Sequence, residues 1–480
     1  MKRVILSEEQ LGAVTSSSQK TMVLAGAGSG KTAVIVARYG YLLRNGSEPN
    51  DVVILTFTVK AASELKARIA DCGLKEPEFV GTIHGWCVRF LPNGYAIAPD
   101  RVSKMAEEWV CEVMPGEAFP SPNEIAALNI ETTSRAYKAY AAYLLRNGMY
   151  DFDMLLKLAL ASVSVAGEVS DLIVDEYQDT GPVEKLIFDS FRGNKFIVGD
   201  TRQSLYGFRG ASEWDVDGMA KDGWVVYHLT PTYRCTSEIC DRVNRIQFNA
   251  ADQGKGSCPD LFPIFRGGHV TDGCDPVAWI HEHQLIDATI LCRSNREVQD
   301  LERRLEESGF PVLKAVSTSD QLQQYTDWLA CSIFPENNLV VDLFLRRWSP
   351  RDHEAALHEA SKHMVGIAAV TTVTITSGLS MDREVAEMVR LYPDDLERLA
   401  ALYSLRHSSS QGPGFRVMTV HQAKGLEWAN VCVVLPNWFK DSLENKRILY
   451  VAMTRCSSRL HMATSHIMVV PAWVTRLLSS

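Results

Sequence analysis

Residues 23–32, VLAGAGSGKT, place Gly26, Gly28 and Gly30 ahead of a Lys-Thr pair. Glycines at that spacing, with Ala25 before them and Ala27 and Ser29 between them, let backbone N–H groups curl round phosphate oxygens. A helix starting at this point adds its partial positive charge. Lys31 can then reach the β- and γ-phosphates of ATP, and the Thr32 hydroxyl can ligate Mg²⁺. A second stretch, LIVDEYQDT at 172–180, sets an acidic pair at the end of an apolar run. Asp175 reads as the residue that holds the metal, and Glu176 as the general base that deprotonates an attacking water. Taken alone, the pair reads more readily as an acidic helix N-cap; the phosphate-loop pattern in the same half favours the metal-and-base reading. A third stretch, FIVGDTRQSLYGFRGA at 196–211, offers Gln203 to a γ-phosphate or its water. Tyr206, Phe208 and Arg209 follow it, two aromatic faces and a cation on which single-stranded bases can stack. Both aromatics are also acceptable core residues, although the flanking Gly207 and Gly210 favour an irregular loop.

These residues need strands to carry them and loops at one edge of a sheet to gather them. From 6 to 91 strand-like and helix-like segments alternate, as in a parallel sheet with crossover helices. Apolar runs at 51–58 and 79–83 read as strands and 59–72 as a helix. The strand rhythm stops from 92 to 150, where turn signals separate helix-like pieces, the last at 135–146. It resumes with buried strands at 171–174, 195–198 and 224–229. The Gly-, Asp- and Pro-rich stretch at 250–276 reads as loop. A second unit follows: strands at 288–292 and 311–315 round a helix at 296–308. Then come a mixed region at 316–414, strands at 415–420 and 431–435, a helix at 444–456 and a strand at 460–463. The fold class is therefore α/β, with two α/β halves that are each interrupted by an insertion.

Composition narrows the class. With 46% hydrophobic and 22% charged residues the chain reads as globular. A net charge of −9 means that any nucleic acid must be gripped by a local basic groove. The eleven cysteines include no CxxC pair and no zinc-like Cys/His spacing, which fits reduced thiols in the cytoplasm. The first residues, MKRVILSEEQ, do not read as a secretion signal, and no apolar run is long enough to cross a membrane. The C-terminal residues show no nuclease-like carboxylate/Lys cluster.

In order and spelling these segments resemble the motif set of superfamily 1A helicases, the UvrD/Rep/PcrA group. LSEEQ at 6–10 is similar to the Q motif, TFTVKAASELKAR at 56–68 to motif Ia and GTIHG at 81–85 to motif Ib. DFDMLL at 151–156 is similar to the segment that precedes motif II in that group. LTPTYRCTS at 229–237 resembles motif IV, VMTVHQAKGLEW at 417–428 motif V and KRILYVAMTRC at 446–456 motif VI.

The resemblance implies two RecA-like P-loop NTPase domains with ATP in the cleft between them. The first would span 1–91 and 151–228 with a helical insertion at 92–150. The second would span 229–315 and 413–480 with a reduced insertion at 316–412. Gln10 would read adenine, Tyr233 would stack on it and Arg38 would flank it, while Glu427 would contact the ribose. Arg234 and Arg455 would reach the γ-phosphate as arginine fingers. Phe57, His84, Tyr206, Phe208, Arg209 and His421 match positions that contact single-stranded DNA; the two histidines are otherwise ordinary packing residues. The implied activity is ATP-dependent, 3′→5′ movement on single-stranded DNA with unwinding at single-strand/duplex junctions. A translocase without unwinding of its own, an RNA motor and a DNA-binding scaffold serving a nuclease or defence partner are the rivals. Two departures bear on this. Phe208 stands where many relatives have Trp, and both insertions are short.

Overall fold

The computed structural model describes residues 5–98, 100–121, 124–125, 134–162, 169–205, 214–246, 248, 259–273, 275–313, 414–435 and 441–464. The chain first lays down β1 (Lys20–Ala25), β2 (Val52–Thr56) and β3 (Phe79–Thr82). After an insertion holding the short strands β4 (Ala96–Ile97) and β5 (Met149–Tyr150), it returns with β6 (Asp171–Val174), β7 (Asn194–Gly199) and β8 (Val225–Leu229). The six long strands form one sheet in the order β3-β2-β6-β7-β1-β8, every pairing parallel.

Parallel strands with both faces covered need apolar residues on both, which is why β1 ends in the continuous apolar run of residues 22–25. Met22 and Leu24 join a cluster with Trp86, Leu155 and Ile187 on one face. Val23 and Ala25 join Ile35, Tyr39 and Leu65 on the other. Each of the larger side chains contributes about 1.5–3 kcal/mol by leaving water. A one-residue slip of β1 would exchange its two faces, so the register that places the loop after it is strongly specified. The edge strand β8 is less buried than its sequence suggests: Val225 and His228 are exposed, and of its five residues only Leu229 is buried. It pairs on one side alone, with β1, so its other side faces outward.

The insertion is not purely helical. Helices Asp100–Val113 and Arg135–Arg146 pack round their own core of Val110, Ala136, Tyr137 and Tyr140, but β4 and β5 pair in parallel at its base. Two residues per strand are too few to show a period of two in the sequence.

The second sheet contains β11 (His269–Gly273), β12 (Ala288–Cys292), β13 (Phe415–Thr419), β14 (Trp428–Leu435) and β15 (Cys456–Thr464). Its order is β11-β15-β14-β12-β13, again all parallel. Between the sheets β9 (Pro231–Thr232) pairs with β10 (Phe262–Pro263). The stretch at 250–276 thus carries two strands where only loop was expected. In β11 the single apolar residue, Val270, gives no run to read, and the strand is fixed by its one partner, β15. The strand expected at 311–315 is reduced to one bridge between Val312 and Phe415, with 314–315 outside the described residues. The mixed region at 316–412 also lies outside them. Among the described residues no helix is long and apolar enough to cross a membrane.

Candidate functional site

Because each sheet is parallel, all the loops that leave the C-terminal ends of its strands lie along one edge. β1 runs into the glycine loop, and helix Lys31–Arg44 begins at Gly30, which has φ +84° and makes no side-chain cap. The first amides of this helix are therefore left for a ligand. The loop is braced from inside: Ser29 Oγ donates to the Gly26 carbonyl (2.8 Å), and Gln10 Nε2 donates to the Ser29 carbonyl (2.9 Å). Gln10 also accepts from the Ser7 N–H (3.0 Å) as part of a capping box, so one amide hydrogen and one lone pair remain for a base. Lys31 and Thr32 occupy the first turn, half-buried.

Asp175 and Glu176 stand at the end of β6, where Glu176 is one of two described non-glycine residues with positive φ (+52°). This backbone is rarely adopted by a carboxylate residue and aims the side chain out of the strand line. Burial beside Glu176 pushes the Asp175 carboxyl up, with Lys31 opposing. Burial also acts on Glu176, but Lys31, Lys424, a hydrogen bond from Gln178 and Arg455 outweigh it and hold the carboxylate ionised. Asp175 Oδ1 accepts the Glu176 N–H (2.9 Å). A buried carboxyl raised by its neighbour, within electrostatic reach of Lys31, suits a hard cation that takes its other ligands from phosphate and water. Among the described residues no group of three or more His, Cys, Asp or Glu could hold a metal on its own.

The second sheet supplies the opposite charges. Arg455, 2% exposed, donates to Gln203 Oε1 (3.1 Å) across the cleft, and Gln203 in turn donates to Asp200 Oδ2 (2.8 Å). Burial and the neighbouring Arg234 both push the Arg455 pKa down. Arg234 donates to Glu427 (2.5 Å) and to the Thr454 carbonyl (3.1 Å), which sets the two expected fingers side by side. Glu427 and Tyr233 are both exposed, Tyr233 at 42%.

Four residues that the sequence reading passed over complete this network. Lys424 crosses from the turn after β13 to pair with Asp179 and donates to the Gln203 carbonyl (2.7 Å). Tyr450 donates to Asp200 (3.1 Å) and accepts the Ala27 N–H (3.4 Å). All four lie inside quoted motifs, yet nothing in one chain marks which polar residue of a motif meets the other domain. Lys424 carried the best signal, a cation between the small residues Ala423 and Gly425.

Three of the expected nucleic-acid contacts are described. Phe57 follows β2 and His421 follows β13, both half-buried at the same edges. His84 sits in the first turn of helix Ile83–Cys87, which Thr82 caps. Its ring meets Phe152 edge-on at 5.0 Å, and Phe152 is 46% exposed. An apolar residue set between two acids, as in DFDMLL, was the available sign of that exposed ring. Tyr206, Phe208 and Arg209 lie outside the described residues.

One expectation is overturned. Arg38, expected beside adenine, is 4% exposed; it donates to the carbonyls of Val14 (2.9 Å) and Ser16 (2.7 Å) and lies over Phe196. Two turns into its helix, the guanidinium faces the domain interior and binds the chain leaving helix Glu8–Val14.

Two family models match this chain. The model of the UvrD/REP helicase N-terminal domain matches residues 6–101 and 99–222, and that of the UvrD-like helicase C-terminal domain matches 378–466. The ATP-dependent DNA helicase PcrA of Staphylococcus epidermidis is 28% identical over 366 residues, covering 64% of this chain and 50% of the relative. A probable DNA helicase II homolog of Mycoplasma pneumoniae is 27% identical over 387 residues, covering 64% and 54%. PcrA of Staphylococcus aureus is 29% identical over 296 residues, covering 52% and 40%. The chain spans about half the length of the curated relatives it matches.

Proposed function

The chain belongs to the UvrD/REP helicase family, a family of ATP-dependent DNA helicases built on two RecA-like domains, and from that premise we propose that it is itself an ATP-driven motor on single-stranded DNA. It moves 3′→5′ and separates duplex at the junction. The observation that carries this reading is the hydrogen bond from Arg455 to Gln203 across the cleft, beside the Lys424–Asp179 pair. The acids and the phosphate loop belong to one sheet and the stabilising cations to the other, so hydrolysis depends on how the domains sit.

In this reading Lys31 and the loop amides hold the β- and γ-phosphates. Thr32 and Asp175 would hold Mg²⁺, which would supply positive charge to the phosphate oxygens. Glu176 takes the proton from the attacking water, and Gln203 orients that water. Arg234 and Arg455 stabilise the charge on the transferring phosphoryl group. Gln10 and Tyr233 bind adenine and Glu427 the ribose. Phe57, His84 and His421, with Tyr206, Phe208 and Arg209, contact the single strand, and Phe152 extends the surface beside His84.

Strand displacement on 3′-tailed and 5′-tailed duplexes, with ATP turnover measured with and without single-stranded DNA and RNA, tests the reading. The expected result is DNA-stimulated turnover and displacement from the 3′ tail. Turnover indifferent to nucleic acid overturns it. Stimulation without displacement from either tail leaves a translocase serving a partner, which the small insertion core between β4 and β5 favours as the second reading.

A further inference from the structure

The chain crosses from β8 to the second domain through residues 230–234, and this crossing is tied to the nucleotide-binding elements at three points. Glu9 accepts from both the N–H and the hydroxyl of Thr230 (2.7 Å each). The Tyr233 N–H donates to the Gly28 carbonyl (2.8 Å). Between them Thr232, with no exposure at all, donates its hydroxyl proton to the Ala27 carbonyl (2.8 Å). The same oxygen accepts the N–H groups of Arg234 (3.3 Å) and Cys235 (3.4 Å). Its one proton and two lone pairs are thus fully used. The contact is close: a Cβ on Gly28 would lie 2.5 Å from Arg234 Cβ and 2.6 Å from Thr232 Oγ1.

Arg234 is accordingly held at both ends. Its backbone is fixed to the phosphate loop through Thr232, and its guanidinium to Glu427 and Thr454 of the second domain. The Arg234 Cα can shift against the phosphate loop only if the Thr232 hydrogen bonds stretch. We propose that Thr232 is a positioning residue: its hydroxyl makes the placement of Arg234 follow the conformation of the phosphate loop. This rests on the proposed function, in which Arg234 acts on the triphosphate. Valine matches threonine in shape and lacks only the hydroxyl function, so Thr232→Val removes three hydrogen bonds at little change in volume. Serine keeps the hydroxyl and drops the methyl.

The test uses the full chain with saturating single-stranded DNA, and measures kcat and KM for ATP in Thr232→Val, Thr232→Ser, Arg234→Ala and the Val/Ala double variant. Thermal midpoints identify any variant that fails to fold, and Thr232→Ala replaces the valine variant if it does. Misplacing a charge-stabilising group by a fraction of an ångström lowers kcat by about tenfold. That loss is expected for Thr232→Val with KM within about twofold, because the loop amides that bind ground-state phosphate stay in place. Thr232→Ser should restore most of the rate. In the Arg234→Ala background Thr232→Val should change kcat by less than about twofold, since a positioning residue has nothing left to position. Wild-type kcat in Thr232→Val, or the same tenfold loss with Arg234 absent, or no rescue by serine, overturns the proposal while leaving the motor reading intact. A wild-type chain that hydrolyses no ATP overturns both.

Discussion

The two sheets are built alike and are chemically opposite at the edges that face each other. The first carries Asp175, Glu176, Asp179 and Asp200 after its strands, with Lys31 and with Arg202, which pairs with Asp200 on the same edge; the second answers with Lys424 and Arg455. Asp200 finds Arg202 on its own edge, but among the described residues Asp179 and Arg455 pair with no opposite charge on theirs, and an unpaired ion taken out of water costs several kcal/mol or neutralises itself. Across the cleft Asp179 is buried against Lys424, and Arg455 against Gln203. Parallel topology makes both edges available, and opposite charge makes the chemistry a property of the pair. The proposed motor needs such an arrangement, because a site complete within one domain would hydrolyse ATP without moving anything.

The sharpest way to break this comparison is to silence the acidic edge while leaving both jaws in place. Glu176→Gln keeps the shape and the hydrogen-bond reach but cannot take a proton. Turnover should fall by about 10²–10⁴-fold while ATP still binds, consistent with loss of a general base. Steady-state hydrolysis and equilibrium binding of ATP measure the two separately. Normal turnover would move the base to another residue, and joint loss of binding would make Glu176 a structural acid.

A smaller effect comes from uncoupling the edges. Lys424→Ala leaves Asp179 buried without its partner, and Asp179 Oδ1 already lacks one among the described residues. Removing one member of a buried pair costs about 3–5 kcal/mol, whereas replacing both by neutral groups costs much less. The double variant Asp179→Asn/Lys424→Met should therefore be more stable than Lys424→Ala alone in urea unfolding. Additive losses would mean that the pair carries no coupling between the domains.

How much of this was legible differs between the same two edges. Gly26–Thr32, Asp175, Glu176 and Gln203 could be read from the chain because each requirement is local: a glycine for a turn, a carboxylate at a strand end. Arg234 and Arg455 came only through resemblance, because nothing in their neighbourhoods says that they cross a cleft. Lys424, Tyr450 and Thr232 were missed for the same reason, their partners Asp179, Ala27 and Asp200 being some 200 to 420 residues away. Arg38, also carried over through resemblance, failed in the opposite direction: its carbonyl partners Val14 and Ser16 lie on the chain just before it. In β11, burial came from a neighbouring strand and left almost no mark on its own residues.

The interior of the second domain buries a titratable group in the opposite sense, and the smallest predicted effect follows from that. His461 is 4% exposed, stacked on Trp279 at 5.0 Å and 8°, with Nδ1 at 2.9 Å from Thr271 Oγ1 and Nε2 unpartnered among the described residues. Burial, with His283 nearby, pushes its pKa down to about 4. The unfolded value is about 6.5, so stability from neutral His461 is present above that pH and is lost as pH falls towards 4, by at most roughly 3 kcal/mol. Asp179 behaves inversely. Burial lifts it to about 6 against the pull of Lys424, so its contribution is full below the unfolded value near 3.9 and is lost as pH rises through 6. Hydrogen exchange of β15 amides between pH 7.5 and 4.5 reads the histidine locally. Wild-type protection should fall relative to His461→Phe, which keeps the stack and cannot titrate, whereas Asp179→Asn should leave that difference unchanged. Parallel profiles for wild type and His461→Phe would mean that His461 takes up its proton without opening the strand. The contrast between a cleft that buries paired charges and a core that buries a neutral base would then fail.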